Sequence, residues 1–495
     1  MSLRLMDLGI KKSKMKKNKF IVLLMIGLHN LTIAQQKVGI VTGAPTEKLH
    51  VAGNVKADTM KPNVLKITSG AGVGKILTSD AAGNAGWQNN NPTAAGNVGF
   101  GVWGDCATNA NITEYYPVVD TGGNLFDLFG WSVAISGNYA IVGAKDDDPA
   151  SDIFSKDGSA TIFEYNGAGW VPIQKLTDSV SERFDLFGHS VSISGNYAVV
   201  GIPGDDTSKG SANIYENIGT AWVLMQKLSA ANGDPLNNFG FSVSIADNMI
   251  IVGSYSDDIG PNVNQGSANI YRFNGNRWVL MQKITDASGA SNDHFGASVS
   301  ISGNYAVVGA ALDDVGTNID QGSVSIYEYD SSNWILKQKL TDATGNAGDN
   351  FGNSISISGN YFIAGAYLDD VGINSGQGAA VIYALKNESW GLIQKLTEAT
   401  GKANDNFGNN VSLSGDHAIV GAYPGTIPTG NKGFSNIYVR VGNAFGKLQY
   451  ISDPMGNSTD AFGHATAIDG ASKRFVISAI NYASGSGKSV FGKIN

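Results

Sequence analysis

Carboxylates recur along this chain at spacings that would let them act together. Pairs or triplets of aspartate stand at Asp146-Asp147-Asp148, Asp205-Asp206, Asp257-Asp258, Asp313-Asp314 and Asp369-Asp370, usually followed by Gly and then Asn. A second set, Asp185, Asp293, Asp349, Asp405 and Asp460, falls within two residues of a Phe-Gly pair. All-oxygen donors suit a hard cation, calcium before any other, with Asp257, Asp258, Asp313, Asp314, Asp369 and Asp370 as candidate ligands. Two carboxylates flanking a glycosidic bond would instead serve as acid and base. The plainest alternative is that Asp, Asn and Gly are good turn formers, the Asp side chains accepting hydrogen bonds from nearby amides. The sixth position of the series reads Tyr423-Pro424-Gly425-Thr426 with no acid, so a metal would occupy only some of the loops.

The elements that must position these acids repeat with them. Seven of the Phe-Gly pairs, beginning at Phe129, Phe187, Phe239, Phe295, Phe351, Phe407 and Phe462, open a phrase of the form FGASVSISGNYAVVGA, a loop that usually holds Asp, GSVSIYEY and NWILKQKLTDATG, with variations from copy to copy. Self-similarity at this period signals a repeat architecture. Phe to the Gly of the following Gly-Ala-type pair is 14 residues in the first six copies, and Trp to the next Phe-Gly is 17, as from Trp334 to Phe351. Only the Asp-bearing connection changes length. Each period holds four strand-like runs, a to d: SVSIS, YAVVGA, SANIY and WVLMQKL. A Ser-Gly-Asn turn joins a to b, and Asn166-Gly167 and Asn274-Gly275 mark c-to-d hairpins. Seven four-stranded antiparallel units predict an all-β chain forming a seven-bladed β-propeller.

The ends of the array predict a closed ring. The seventh copy stops after Val490-Phe491 and lacks strand d, while counting 17 back from Phe129 lands on Ile112, in ITEYYPVVDT. One blade would then take its strand d from the N-terminal side, which removes both exposed sheet edges.

The phrases FGWSVAISGNYAIVGA (129–144), FGHSVSISGNYAVVGI (187–202), FGASVSISGNYAVVGA (295–310) and FGNSISISGNYFIAGA (351–366) resemble the FG-GAP repeat family, bacterial relatives of the propeller repeats of integrin α-subunits. The resemblance covers roughly residues 107–495 and implies an extracellular interaction scaffold. Integrin-type repeats carry a calcium loop between their first two strands; here that connection is only Ser-Gly-Asn, which leaves no room for such a cage.

In an up-and-down blade the b-to-c and d-to-a loops emerge on one face. That face should be long-looped and acidic, with Asp146, Asp205, Asp257, Asp313, Asp369, Asp293, Asp349 and Asp405 on it, and loops on a rigid scaffold are where binding usually sits. The expectation is a binding or adhesion protein that takes a glycan or a surface protein there. A polysaccharide-degrading enzyme using the same carboxylates, and a structural spacer of a surface fibre, are the alternatives. Catalytic motifs are thin: GSGKS at 485–489 lacks the first Gly of a phosphate loop, and neither G-x-S-x-G nor H-E-x-x-H occurs. His189, His294, His417 and His464 read as turn or inter-blade residues. Trp170, Trp222, Trp278, Trp334 and Trp390 read as the buried anchors of strand d, since stacking on sugars would require them exposed.

Lys14, Lys16, Lys17 and Lys19 precede the apolar run Phe20–Leu28, and Thr32-Ile33-Ala34 offers a small-residue cleavage site. That is the pattern of a secretory signal over residues 1–34, with either Met1 or Met15 as the start, and its run is too short for a comfortable membrane span. The expected location is secreted or on a bacterial cell surface. Removing 1–34 leaves 27 Lys and Arg against 41 Asp and Glu, a net charge of −14 that repels nucleic acid and anionic membranes. Cys106 is the only cysteine, so no internal disulfide forms. Within residues 35–88, VGIVTGAPTEKLHVAGNVKA followed by KILTSDAAGNAGWQ resembles a short β-rich stalk module of bacterial surface and tail-fibre-like proteins, which implies a homotrimer; 89–106 reads as a linker and 107–495 as the propeller.

Overall fold

The structure, a computed structural model, describes residues 75–79, 85–89, 112–120, 123–148, 155–180, 182–230, 235–424, 432–453, 456–457 and 459–495. The signal, the linker and Cys106 lie outside these, as does all of the 35–88 module except Lys75–Ser79 and Ala85–Asn89, which pair as a two-stranded sheet of their own.

The remaining strands form seven four-stranded antiparallel sheets in the order a-b-c-d. Blade four is representative: a is Ser298–Ser302, b Tyr305–Ala310, c Ser323–Tyr329 and d Trp334–Leu340. Strand b and the start of strand c are buried without interruption, because neighbouring blades cover both of their faces; this is why they read as runs rather than alternations. Strand d is buried at Trp334, and its next residues are exposed. A β-bulge at Ile326/Tyr327 lets Ile335 and Leu336 both face outward, and the same bulge recurs in blades one to six.

The two glycines of the motif explain each other. Strand b's Gly309 packs against the carbonyl of Gly352, the Phe-Gly glycine of the next blade, and a Cβ on Gly309 would sit 2.1 Å from that oxygen. Gly352 itself has φ +90°, a conformation that favours glycine. The preceding Phe351 is fully buried, and its amide donates to Gln321 O of blade four.

Strands a of adjacent blades do not pair, so their free amides need other acceptors. The alternating serines supply them: Ile301 N donates to Ser244 Oγ, Ile357 N to Ser300 Oγ, Leu413 N to Ser356 Oγ and Ile468 N to Ser412 Oγ, at 2.9 to 3.2 Å. On the perimeter a strand-d glutamine clasps the next blade's edge strand. Gln338 Nε2 donates to Trp390 O, and Trp390 N donates to Gln338 Oε1, both at 3.0 Å. Equivalent clasps join blades one to two, two to three, three to four and five to six.

Blade seven closes as the spacing requires. Its a, b and c are Phe462–Asp469, Arg474–Ala479 and Lys488–Ile494, and Ile112–Val118 pairs with the last of these, Tyr116 opposite Phe491. Strand d runs from the short-turn face to the long-loop face, so the chain enters the ring at Ile112 on the short-turn side.

Candidate functional site

The first acid of each loop pair is committed to an ion bridge. Lys339, from strand d of blade four, lies 2.6 Å from Asp313 of its own blade and 2.6 Å from Asp286 at the end of blade three. Lys395 does the same with Asp369 and Asp342, Lys227 with Asp205 and Asp178, and Lys175 with Asp147 and Asp120. Lys283 holds Asp257 at 2.5 Å, and Asp146 pairs with Lys145 and Lys156. The QK of strand d was the readable signal for these bridges. Burial opposes ionisation of Asp286 and Asp342, but Lys339 and Lys395 outweigh it and hold both pKa values below the ordinary carboxylate range.

The second acids, Asp258, Asp314 and Asp370, are exposed, and each accepts the amide six residues on: Asn264, Asp320 and Gly376. The acids before Phe-Gly are buried. Asp185, Asp293, Asp349, Asp405 and Asp460 each accept the amide three residues back, at 2.6 to 2.7 Å. Burial pushes Asp185 and Asp293 up to about 6 against these amides. Asp127, in the same position of blade one, rises to about 7 through burial, with Asp147 adding repulsion; one of its oxygens, Oδ1, is buried without a partner. Among the described residues no three His, Cys, Asp or Glu side chains converge to hold a metal ion. With the first acids on lysine and the second on loop amides, the donor set does not fit a calcium cage.

The arrangement that sequence reasoning missed lies at the centre of the same face. A channel of about 490 Å³ runs between the strands a, walled by serine and asparagine. Its mouth on the long-loop side is lined by residues that follow Phe-Gly, Trp131, His189, Phe241, Ala297, Asn353 and Asn409, and His464 holds the same position in blade seven. Around it seven rings make an unbroken arc over blades six, seven, one, two, three and four. Tyr423 meets His464 at 5.1 Å between centroids, His464 meets Trp131 at 4.7 Å and Trp131 meets His189 at 5.9 Å. The arc continues through Phe241 at 4.5 Å, Tyr255 at 4.3 Å and His294 at 5.0 Å. All seven are partly accessible. Lys145 lies 4.1 Å from the Trp131 ring centroid.

The repeat serves as its own control here. Ala297, Asn353 and Asn409 occupy the same position in blades four to six, so the blade does not require an aromatic ring there. The arc is uncharged at neutral pH: burial and then Lys145 bring His189 and His464 down to about 4. Asn353 Oδ1 and His464 Nδ1 are both buried without a hydrogen-bond partner.

A smaller cleft of about 240 Å³ is lined by Asp147, Asp148, Asp157, Lys175 and Asp178. Asp127, the carboxyl with the pKa suited to a general acid, is fully buried and is not among its lining residues.

A family model described as FG-GAP repeat matches the chain six times, over residues 118–163, 170–215, 222–271, 278–327, 334–383 and 390–439. Each match runs from strand d of one blade to strand c of the next, the phase that leaves a lone strand d at the N-terminal end to close the ring. No curated protein matches the chain.

Proposed function

The chain belongs to the FG-GAP repeat family, and from that premise we propose that it is an extracellular binding module that takes a neutral glycan at the mouth of its central channel. The fold is consistent with a surface or binding role, and no helix among the described residues is long and apolar enough to cross a membrane. The observation that carries the reading is the arc of seven rings over a hydroxyl-walled channel. A pyranose has apolar C–H faces and a rim of hydroxyls. Aromatic surface buries the first, and the serine and asparagine side chains of the channel wall can hydrogen-bond the second. Concave shape, neutral charge and few polar groups match that chemistry better than they match an ionic ligand. The tucked-in acids serve this site indirectly, by fixing the loops around it.

The test is retention on a panel of immobilised neutral polysaccharides, with released reducing ends scored in parallel, for the native chain and for Trp131→Ala with Tyr423→Ala. Retention without release, weakened at least tenfold by the double substitution, supports the reading; a tenfold loss is ~1.4 kcal/mol, the scale of one buried aromatic contact. Because both histidines stay neutral down to about pH 4, retention should be flat from pH 8 to pH 5.5. Release of reducing ends would make the protein a hydrolase, and silence on both readouts would leave the spacer role.

A further inference from the structure

The same face carries apolar tips for which the blade fold gives no reason. Three residues before Phe-Gly in blades one to six the backbone adopts a left-handed conformation: Phe126, Phe184, Leu236, Asn292 and Asn404 have φ between 61° and 74°, and Gly348 has φ 81°. Blades four to six fill this position with Asn, Gly and Asn, the residues that tolerate it best. Blades one to three put Phe, Phe and Leu there, and these side chains are 67%, 54% and 63% exposed. Bulky residues are strained in that conformation, and large apolar side chains gain nothing from water, so two costs coincide at three equivalent places. The loops between strands b and c continue the pattern with Val263, Ile319 and Ile373, the last fully exposed. On the short-turn face, among the described residues, only Ile218 and Val441 are comparable.

We propose that this face docks on a zwitterionic lipid surface through these six tips. Three tips hold one position in blades one to three and three hold the b-to-c loops of blades three to five, so all six belong to the long-loop face. They sit on separate loops, Phe126 flanked by the equally exposed Leu125. A protein partner would need a contiguous, shape-matched apolar patch, whereas a fluid interface admits isolated side chains one by one. The neighbouring Asp258, Asp314 and Asp370 are exposed and acidic, which selects against anionic lipid. The docking is peripheral, and it uses the loop tips of the face on which the channel mouth also opens.

The experiment is flotation with phosphatidylcholine vesicles, using the chain from Gln35 onward so that the apolar run Phe20–Leu28 contributes nothing. It compares the native sequence with Phe126→Asn, Phe184→Asn and Leu236→Asn combined, the residue type that blades four and six carry. The expected result is binding by the native chain and a loss on the order of tenfold or more in the triple variant. Its melting temperature should be unchanged or raised, because Asn relieves the left-handed strain. Replacing part of the phosphatidylcholine with phosphatidylglycerol should weaken binding, and glycan retention by the triple variant should be untouched. The proposal is overturned if the native chain does not float, if the triple variant floats equally well, or if it melts lower, which would make the three residues structural. A triple variant that changes only its oligomeric state would assign the face to a second copy of the chain and overturn it too.

Discussion

Replacing Lys339 with Met should loosen one seam of the ring and leave the others intact. Met keeps the length and packing of the side chain but strands Asp286 and Asp313, whose carboxylates are nearly inaccessible. Removing one member of a buried ion bridge costs about 3–5 kcal/mol, and with a quarter of the Lys339 side chain exposed about half of that, ~2 kcal/mol, is the reasonable expectation. A ring of seven blades need not unfold in one step, so the readout is local amide exchange rather than a global melting temperature. About 2 kcal/mol corresponds to roughly thirtyfold faster exchange, expected where blades three and four meet, with strands b and c of blade six unchanged. The pH dependence has a definite sign. Asp286 has a folded pKa below its unfolded value, so the stability it contributes is present above pH ~4 and is lost as pH falls through the lowered folded pKa. The gap between native and variant should therefore narrow as the pH falls below ~4. Acceleration under threefold, equal acceleration in all blades, or a gap that widens as the pH falls below ~4 would each refute the bridge as the source of cohesion.

Gln338→Ala should cost about 1 kcal/mol by leaving Trp390 N and O without their clasp; paired urea titrations of the native chain and the variant decide this. Asp127 has its folded pKa raised to about 7, so its contribution to stability is full below pH ~4 and is lost as pH rises through 7. Asp127→Asn should accordingly melt higher than the native chain at pH 8, with the difference shrinking as the pH falls to ~4, and a pH-independent difference would contradict the assignment.

The architecture was legible because the repeat displays it many times. The 17-residue step from strand d to Phe-Gly placed Ile112 in the closing strand, and the structure pairs it there. The buried Trp anchors followed from their periodicity in the same way. The acids were legible as a face but not in their partners. Asp313 and Lys339 lie far apart in sequence, and only the fold of the blade brings strand d under its own b-to-c loop. The channel mouth was not legible from periodicity at all, because its residues are those in which the copies differ: Trp131, His189 and Phe241 stand where other blades carry Ala or Asn. A consensus reading averages such positions away, and the departure of one copy from its sisters is the signal that would have found them. Phe126, Phe184 and Leu236 follow the same rule.

Oxidative footprinting with and without a retained oligosaccharide tests the central claim most directly, because Trp131 and Tyr423 are partly accessible at the mouth while the strand-d tryptophans are buried. The account predicts that bound oligosaccharide protects Trp131, Tyr423 and Phe241 and leaves the oxidation of Ile335, Leu336 and Phe126 unchanged. Protection confined to the strand-d perimeter or the loop tips, with Trp131 oxidised as in the free protein, would contradict it.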